Sequence, residues 1–338
     1  QDTGTTKLGK ALAFLLAQHP GQSGFHVLAD GMDAFAARIA LVDHAERSLD
    51  LQYYIWHDDL TGQYLLNRVL RAADRGVSVR LLLDDMDTAG RDPILHAIDA
   101  HPNIDVRLFN PFVHRNARFI DFLTSPFRIN RRMHNKTITA DNQASILGGR
   151  NIGDEYFGAA ESVVFGDVDV LAVGPVARDI SNSFDRYWNS RWVFPLAAFR
   201  ERGADADSEQ AAFRERSDDY AAEAEKSAYA AALVESERYR SASIAELPYA
   251  WSQWMVVYDD PEKVEAEEVG KKTHLAPRLK EVLDRAKQDL IIISPYFVPG
   301  DAFTAYLAEK VSRGVRVRIL TNSLAANDVL LVHAGYMC

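Results

Sequence analysis

One strand–helix–strand pattern occurs twice in the chain, and this repeat restricts the possible folds more than any other feature. The first copy has an apolar strand at 49–55, a helix at 64–74 and a strand at 77–83. The second copy has the same order of elements, at 289–294, 302–312 and 315–320. Each helix ends at an Arg-Gly pair, and the two pairs lie 238 residues apart. Unless the similarity arose by chance, the chain contains an internal duplication.

The strands of the repeat predict the fold class. They are apolar with little alternation, and helices separate them, as is typical of parallel or mixed sheets that are covered on both faces. We therefore predict an α/β fold, an α/β/α sandwich that is duplicated along the chain. Because only 20 residues follow Arg318, whereas more than 100 follow the matching Arg80 before the acidic segment begins, we expect the second half to be truncated.

Most of the negative charge lies in one segment between the two copies. The chain of 338 residues has a formal net charge of −10, from 38 basic and 48 acidic residues. Segment 201–268 contains 18 of the acidic and 7 of the basic residues, so the remainder is close to neutral. Such Ala- and Glu-rich sequence is typical of solvated helices. We predict a first half at 1–200, an acidic helical insertion or linker at 201–275 and an incomplete second half at 276–338.

Composition and charge exclude several kinds of protein. A hydrophobic content of 47% is that of a globular protein. The net negative charge provides no positive field over the whole molecule, so we predict no nucleic-acid partner. Cys338 is the single cysteine, and the sequence has neither a Cys/His cluster nor a carboxylate cluster with metal-ligand spacing. We therefore predict no metal and no cofactor.

The residues most suited to chemistry lie in segment 132–141. Its alternating, β-rich pattern predicts a strand that places His134 and Lys136 on one face. A neutral imidazole is a nucleophile near neutral pH, and an ammonium group beside it can neutralise the oxygens of a phosphate. Asp141 begins a predicted turn, and 144–147 is predicted to return as a second strand.

This hairpin would bring the segment 148–151 back beside His134 and Lys136. Gly149 permits close approach of the backbone to a ligand, and the side-chain amide of Asn151 can donate a hydrogen bond. The pattern therefore predicts a phosphoryl-transfer site in which Lys136, Gly149 and Asn151 bind the phosphate.

The full spacing resembles the signature of the phospholipase D superfamily. His134, Lys136, Asp141, Gly148, Gly149 and Asn151 match this signature position by position. Much of the remaining chain resembles one branch, the bacterial cardiolipin synthases of the C type. The matching phrases include residues 33–38, 52–56, 80–85, 107–112, 148–156 and 321–328. The resemblance implies a phospholipase D-like fold with two homologous halves, each with its own HxK motif.

The resemblance also implies roles for two aspartates. The motif's Asp141 is expected to support the catalytic site, although Asp-Asn is also an ordinary turn pair. Asp167 lies where secreted members have an acid that accepts a hydrogen bond from the nucleophilic histidine, with Asp169 as the alternative. We predict a catalytic set of His134, Lys136, Asp141 and Asp167. The second HxK motif is absent from this sequence, and we expect the chain to be part of a longer enzyme.

Segment 115–132 has a composition that bears on membrane contact. It contains five arginines interleaved with apolar residues, and Asp121 is its one acid. Basic and aromatic residues together can bind an anionic lipid surface, or they can line a loop that packs on the fold. The sequence does not choose between these alternatives.

The resemblance implies a phosphatidyltransferase that forms cardiolipin from phosphatidylglycerol and a second phospholipid through a phosphohistidine intermediate. Such an enzyme would take phospholipid substrates and lie peripherally on the bacterial cell membrane. A phospholipase D-type phosphodiesterase and an inactive fragment are the alternatives, because the motif is the same whether water or a lipid hydroxyl is the acceptor. The sequence leaves the oligomeric state open.

Overall fold

The computed structural model describes residues 3–160, 164–199, 206–235, 244–266, 270 and 272–323. The chain forms two compact units, Gln1–Glu268 and Val269–Cys338. The first unit contains the strands β1 (Ser23–Leu28), β2 (Ser48–Tyr53), β3 (Ser78–Asp84), β4 (Ile104–Phe109), β5 (Thr137–Ala140), β6 (Ala144–Gly148), β7 (Asp169–Val173), β8 (Val193–Pro195) and β9 (Ala250–Ser252).

The α-helices of this unit are α1 (Lys7–Gln18), α2 (Gly31–His44), α3 (Leu60–Asp74), α4 (Asp92–Asp99), α5 (Phe119–Thr124), α6 (Pro126–Ile129), α7 (Asp154–Phe157), α8 (Pro175–Trp188), α9 (Ala206–Ala224) and α10 (Ala228–Glu235). Short 3-10 helices lie at Asp85–Asp87, Arg115–Ala117, Leu196–Phe199, Ile244–Glu246 and Pro261–Val264. None of the helices in the described parts of the chain is long and apolar enough to cross a membrane.

The nine strands form one mixed sheet. Their order is β8-β4-β3-β2-β5-β6-β7-β1-β9. The strands β2, β3 and β4 are parallel, whereas β5, β6 and β7 pair antiparallel to their neighbours. The predicted unit of β2, α3 and β3 is therefore present, and the predicted hairpin is β5–β6 at the centre of the sheet.

Helices cover both faces of the sheet. Leu81 and Leu83 of β3 belong to the large core that includes residues of α2, α3 and α4. Leu82 points to the opposite face, where it packs with residues of α8 such as Phe184. Neighbouring residues of one strand are thus buried on opposite sides, because side chains alternate across a strand. The predicted α/β/α sandwich is confirmed.

Helix α3 begins four residues earlier than the apolar pattern indicates. The carboxylate of Asp59 accepts a hydrogen bond from the backbone N–H of Gly62 at 3.0 Å, which caps the helix. The cap allows Leu60 to be the first helical residue.

The described part of the acidic segment forms the predicted helices, and one of them packs on the core. Phe213 and Ala221 of α9 are buried in the large core. Asn67 of α3 donates hydrogen bonds to the Ser217 carbonyl at 3.2 Å and to the Asp218 carboxylate at 2.9 Å. This helix therefore covers α3 instead of being solvated on all sides. The domain boundaries at residues 200 and 275 remain a prediction.

The second unit contains α11 (Leu275–Leu283), β10 (Asp289–Ile293), α12 (Gly300–Ser312) and β11 (Arg316–Leu320). The strands β10 and β11 are parallel, as β2 and β3 are. In both pairs an aspartate of the first strand binds an arginine of the second, with Asp50 2.7 Å from Arg80 and Asp289 2.6 Å from Arg316. This unit therefore has the predicted second strand–helix–strand pattern.

Candidate active site

The alternating pattern predicts that His134 and Lys136 lie within a strand. In the structure they lie directly before β5. The extended backbone still places the two side chains together. The Lys136 ammonium lies 3.1 Å from Nδ1 of His134 and donates a hydrogen bond to the His134 carbonyl at 2.8 Å. The ring of Tyr54 lies 4.5 Å from the His134 ring, centroid to centroid. Lys136 is buried, whereas His134 is exposed and accessible to a substrate.

The surroundings favour the uncharged forms of both basic side chains. Desolvation by the surrounding protein, together with the positive charges of Lys136 and Lys263, lowers the pKa of His134 to about 4. Burial lowers the pKa of Lys136 to about 8, although the carboxylates of Asp167, Asp169 and Asp84 oppose this change. Near pH 7 the imidazole is therefore neutral and the ammonium is still charged, the combination that nucleophilic attack on a phosphodiester needs.

The hairpin brings the glycine pair back to Lys136, as predicted. The N–H of Gly148 points to the Lys136 carbonyl at 3.4 Å. Both glycines lie against the two aspartates of the Asp-Val-Asp phrase. The Asp169 side chain fills the space where a β-carbon on Gly148 would lie, and the Asp167 carboxylate does the same at Gly149. Glycine is therefore required at both positions for this packing.

A buried ion network holds the loop after the glycine pair. The guanidinium of Arg150 lies 3.3 Å from the Asp169 carboxylate, which is also 2.9 Å from Arg38. Arg150 donates further hydrogen bonds to the carbonyls of Leu28 and Asp167 at 3.0 and 2.5 Å. Asp169, the alternative partner for His134, is thus paired with two buried arginines and fixes the backbone of the site.

Asn151 is buried beside the site, with its side-chain amide already hydrogen bonded. Its oxygen accepts from the Ile55 N–H at 3.1 Å, and its nitrogen donates to the Tyr156 hydroxyl at 3.0 Å. The nitrogen carries a second hydrogen, so these contacts leave phosphate binding by Asn151 a prediction.

Asp141 lies at the opposite end of β5 from His134, in the hairpin turn. Its carboxylate accepts backbone hydrogen bonds from Glu46, Arg47 and Ser48 at 3.0, 2.8 and 2.9 Å. It is fully buried and has a φ of 52°, a conformation that aspartate tolerates in turns. These contacts support the structural alternative for Asp141, which positions the hairpin without touching the reacting groups.

Asp167 lies near Lys136, on which its negative charge acts. Partial burial raises the pKa of Asp167, and the nearby Asp169 carboxylate adds to this rise. The carboxylate with the largest effect on His134 is a different one, Asp259. The orienting role of Asp167 at His134 stays a prediction.

Two positioning features were not assigned from the sequence. The buried Asp84, at the carboxyl end of β3, accepts hydrogen bonds from the Arg132 side chain and the Met133 N–H, both at 2.8 Å. It thereby fixes the backbone just before His134. An acid at the carboxyl end of a buried parallel strand is a recognisable signal for this role. The other feature is the ion pair of Asp259 and Lys263, which no local pattern indicated.

A group of possible metal ligands lies in the loop after β2 and in α7. Ligand atoms of His57, Asp59 and Glu155 lie within 4.8 Å of one another. Sequence spacing did not reveal this group because its members come from distant segments. The Asp59 carboxylate already caps α3 and accepts from the Asp154 N–H at 2.8 Å, so it has a structural function without an ion.

Comparison with known proteins identifies the family. The family model described as cardiolipin synthase, PLD-like domain, matches residues 39–188 and 279–337. Cardiolipin synthase C of Escherichia coli (strain K12) is 45% identical over 98% of this chain and 69% of that protein. Cardiolipin synthase A of Pseudomonas entomophila (strain L48) is 31% identical over 50% of this chain and 34% of that protein.

A protein of Helicobacter pylori (strain ATCC 700392 / 26695) is 34% identical over 99% of this chain and 66% of its own length. The chain thus spans about two thirds of the relatives that it matches along nearly its whole length. The solved phosphatidylserine synthase of Haemophilus influenzae has the same fold, with a TM-score of 0.57 at 14% identity over 96% of this chain and 67% of that one. The chain belongs to the phospholipase D-like cardiolipin synthase family, as its motif and the matching phrases predicted.

Proposed function

We propose that this protein is a phosphatidyltransferase that forms cardiolipin from phosphatidylglycerol and a second phospholipid. The observation that carries the proposal is the exposed, uncharged imidazole of His134 beside the charged ammonium of Lys136. The 45% identity to a cardiolipin synthase supports the choice of substrates.

The reaction proceeds in two displacements. His134 attacks the phosphorus of a phospholipid, the bond to the departing alcohol breaks, and a phosphohistidine forms. An acid must give the departing alcohol a proton, and the same group then removes a proton from the incoming hydroxyl. The hydroxyl of phosphatidylglycerol displaces His134 and gives cardiolipin. Lys136 neutralises the phosphate oxygens during both steps.

The resting contact between Lys136 and His134 has a consequence for this mechanism. An ammonium group only donates hydrogen bonds, so Nδ1 of His134 accepts, and the neutral ring carries its proton on Nε2. Attack through Nε2 requires the proton to move to Nδ1 and Lys136 to turn toward the phosphate. Substrate binding would drive this exchange because the phosphate is the stronger acceptor for the ammonium.

The test uses the product of the complete gene with phosphatidylglycerol vesicles. We expect cardiolipin as the lipid product and acid-labile, base-stable labelling of His134 in a rapid quench. The variant H134A should form neither. Production of phosphatidic acid without cardiolipin would instead favour the phosphodiesterase alternative, in which water is the acceptor.

We further propose that the protein binds its phospholipids peripherally at the bacterial membrane. An apolar surface around α5 and α6 supports this proposal: Val113, Phe119, Leu123 and Phe127 are 74, 66, 78 and 84% exposed. Four of the five arginines of the segment bind the fold instead, and among them Arg128 donates a hydrogen bond to Asn110. Arg115 and Arg118 bind Asp85, and Arg132 binds Asp84. These ion pairs hold the segment while its apolar side chains remain available to lipid.

Vesicle flotation tests the membrane contact. The double variant L123S/F127S should lose binding to phosphatidylglycerol vesicles, because it removes two of the most exposed apolar side chains of the segment. The variant F14S is a matched control, since Phe14 of α1 is 73% exposed. Equal flotation of both variants would refute contact through α5 and α6.

A further inference from the structure

The segment after β9 carries an ion pair between a buried lysine and a partly exposed aspartate, which the proposed mechanism does not use. The Lys263 ammonium lies 2.5 Å from the Asp259 carboxylate, and Lys263 is only 7% exposed. Burying a lysine is unfavourable unless the charge is paired or has a function. The position of this pair relative to His134 therefore bears on its function.

Contacts with α8 hold the pair in place. The hydroxyl of Tyr187 donates to the Asp259 carbonyl at 2.7 Å. The neighbouring Asp260 carboxylate accepts from the Glu262 N–H at 3.0 Å, which caps the short helix Pro261–Val264. Arg186 of α8 lies 3.0 Å from Asp260. These contacts fix the backbone around the pair to α8.

Apolar packing places the same segment against the residue that precedes the nucleophile. Val264 is buried in a cluster with Met133 and Tyr187, and Tyr258 packs against that cluster. Met133 directly precedes His134 in the chain. The charges of Lys263 and Asp259 accordingly act on the His134 ring, as does the charge of Lys136. Two ammonium groups, those of Lys136 and Lys263, therefore act on one imidazole.

We propose that Lys263 is a further phosphate-binding residue of the site, held beside His134 by Asp259. This inference rests on the proposed function and adds a second cation for the phosphodiester of the phospholipid. Asp259 uses part of the donor capacity of the ammonium, which has three N–H groups. Its other donors can bind a non-bridging oxygen while Asp259 restrains the side chain, and a fixed charge stabilises a phosphoryl-transfer transition state better than a mobile one.

The first experiment measures the site without turnover. The His134 imidazole is titrated by NMR, and the binding of inorganic phosphate is followed in the same spectra. In K263Q we expect a higher pKa of His134, because a nearby positive charge is lost, and about tenfold weaker phosphate binding. In D259N the pKa should fall, because a negative charge is lost. K226Q is the matched control, since Lys226 pairs with Glu223 on the exposed side of the acidic segment.

The second experiment measures cardiolipin formation by the product of the complete gene. We expect K263Q to reduce kcat/KM about 100-fold, K263R to recover part of it, and K226Q to retain it. The double variant D259N/K263Q leaves no unpaired buried charge. It therefore distinguishes activity lost through misfolding from activity lost through weaker phosphate binding. If it stays as inactive as K263Q with a normal Tm, phosphate binding is the cause. Recovery of activity in the double variant would overturn the inference.

Different results would contradict the proposed lipid product and the proposed role of Lys263. If the wild-type protein forms no cardiolipin while His134 and phosphate binding still respond to K263Q, the proposed lipid product is wrong and the phosphate site stands. If K263Q matches the wild-type protein in the pKa of His134, in phosphate binding and in turnover, Lys263 is not part of the site, whatever the product.

Discussion

The carboxylate of Asp167 occupies the space that a β-carbon on Gly149 would need. The same carboxylate helps to keep Lys136 charged, because its negative charge opposes the lowering of the lysine pKa by burial. The second glycine of the motif is therefore linked, through Asp167, to the protonation state of the motif lysine.

The variant G149A should change the pH dependence of activity through its effect on Asp167. The new methyl group displaces the carboxylate from Lys136, so the alkaline limit of activity should move below about pH 8. The variant D167A should cause the same shift, and the double variant should add little to either. The matched control is G166A, because Gly166 has open space around it. A pH profile that is unchanged in G149A would contradict this linkage.

The pH dependence of kcat/KM should have limits near 4 and near 8. Protonation of His134 removes the nucleophile below its pKa of about 4, and deprotonation of Lys136 removes the phosphate-binding charge above its pKa of about 8.

The variant H134A should lower turnover by several orders of magnitude at every pH. A H134A variant with near-normal turnover would reject His134 as the nucleophile.

Replacing Lys136 should stabilise the fold while it abolishes activity. The folded-state pKa of about 8 lies below the ordinary value of 10.5, so the unfolded chain holds the proton more tightly. The lowered pKa of Lys136 reduces the free energy of unfolding. This reduction has its full size below about pH 8 and disappears as the pH rises toward 10.5. We expect K136M to raise the free energy of unfolding at neutral pH by about 1–3 kcal/mol in urea titrations. K226M, at an exposed position, should have little effect.

The variant D141A should destabilise the protein more than it impairs the chemistry. It leaves three backbone N–H groups without their acceptor, at a cost of about 2–4 kcal/mol. D141N keeps one acceptor oxygen and tolerates the positive φ, so its cost should be smaller. Turnover per folded molecule should remain within about tenfold of wild type in both variants. A large loss of turnover at normal Tm would restore a catalytic role for Asp141.

Chelation of divalent ions should leave turnover intact, because Lys136 supplies the positive charge of the proposed mechanism. The assay compares initial rates before and after EDTA. Complete loss of activity that magnesium or zinc restores would reject this expectation. In that case the variant E155Q would show whether the group of His57, Asp59 and Glu155 is responsible.

The strands of the repeat and the hairpin were predictable because they depend on local sequence. The repeat located β2, α3 and β3, and the turn pair at Asp141 located the hairpin. The start of α3 was missed because its cap, Asp59, is a polar residue that the apolar pattern does not count. The family signature supplied His134 and Lys136, and the structure then placed them in contact.

The remaining parts of the site depend on contacts between distant segments. The charges of Asp259 and Lys263 act on His134 because α8 and Met133 hold their segment nearby. The arginines of segment 115–132 show the same limit: their composition did not reveal that Arg115 and Arg118 face Asp85. Neither periodicity nor spacing reports which way such side chains point after folding.

The antiparallel hairpin explains why the signature has its particular spacing. The four residues between Lys136 and Asp141 are the whole of β5, from Thr137 to Ala140. Insertion or deletion of one residue would turn Lys136 to the other face of the sheet while Asp141 kept its backbone contacts. The interval in the motif therefore equals the length of β5, so a substitution within β5 should disturb the site less than a change in the number of its residues.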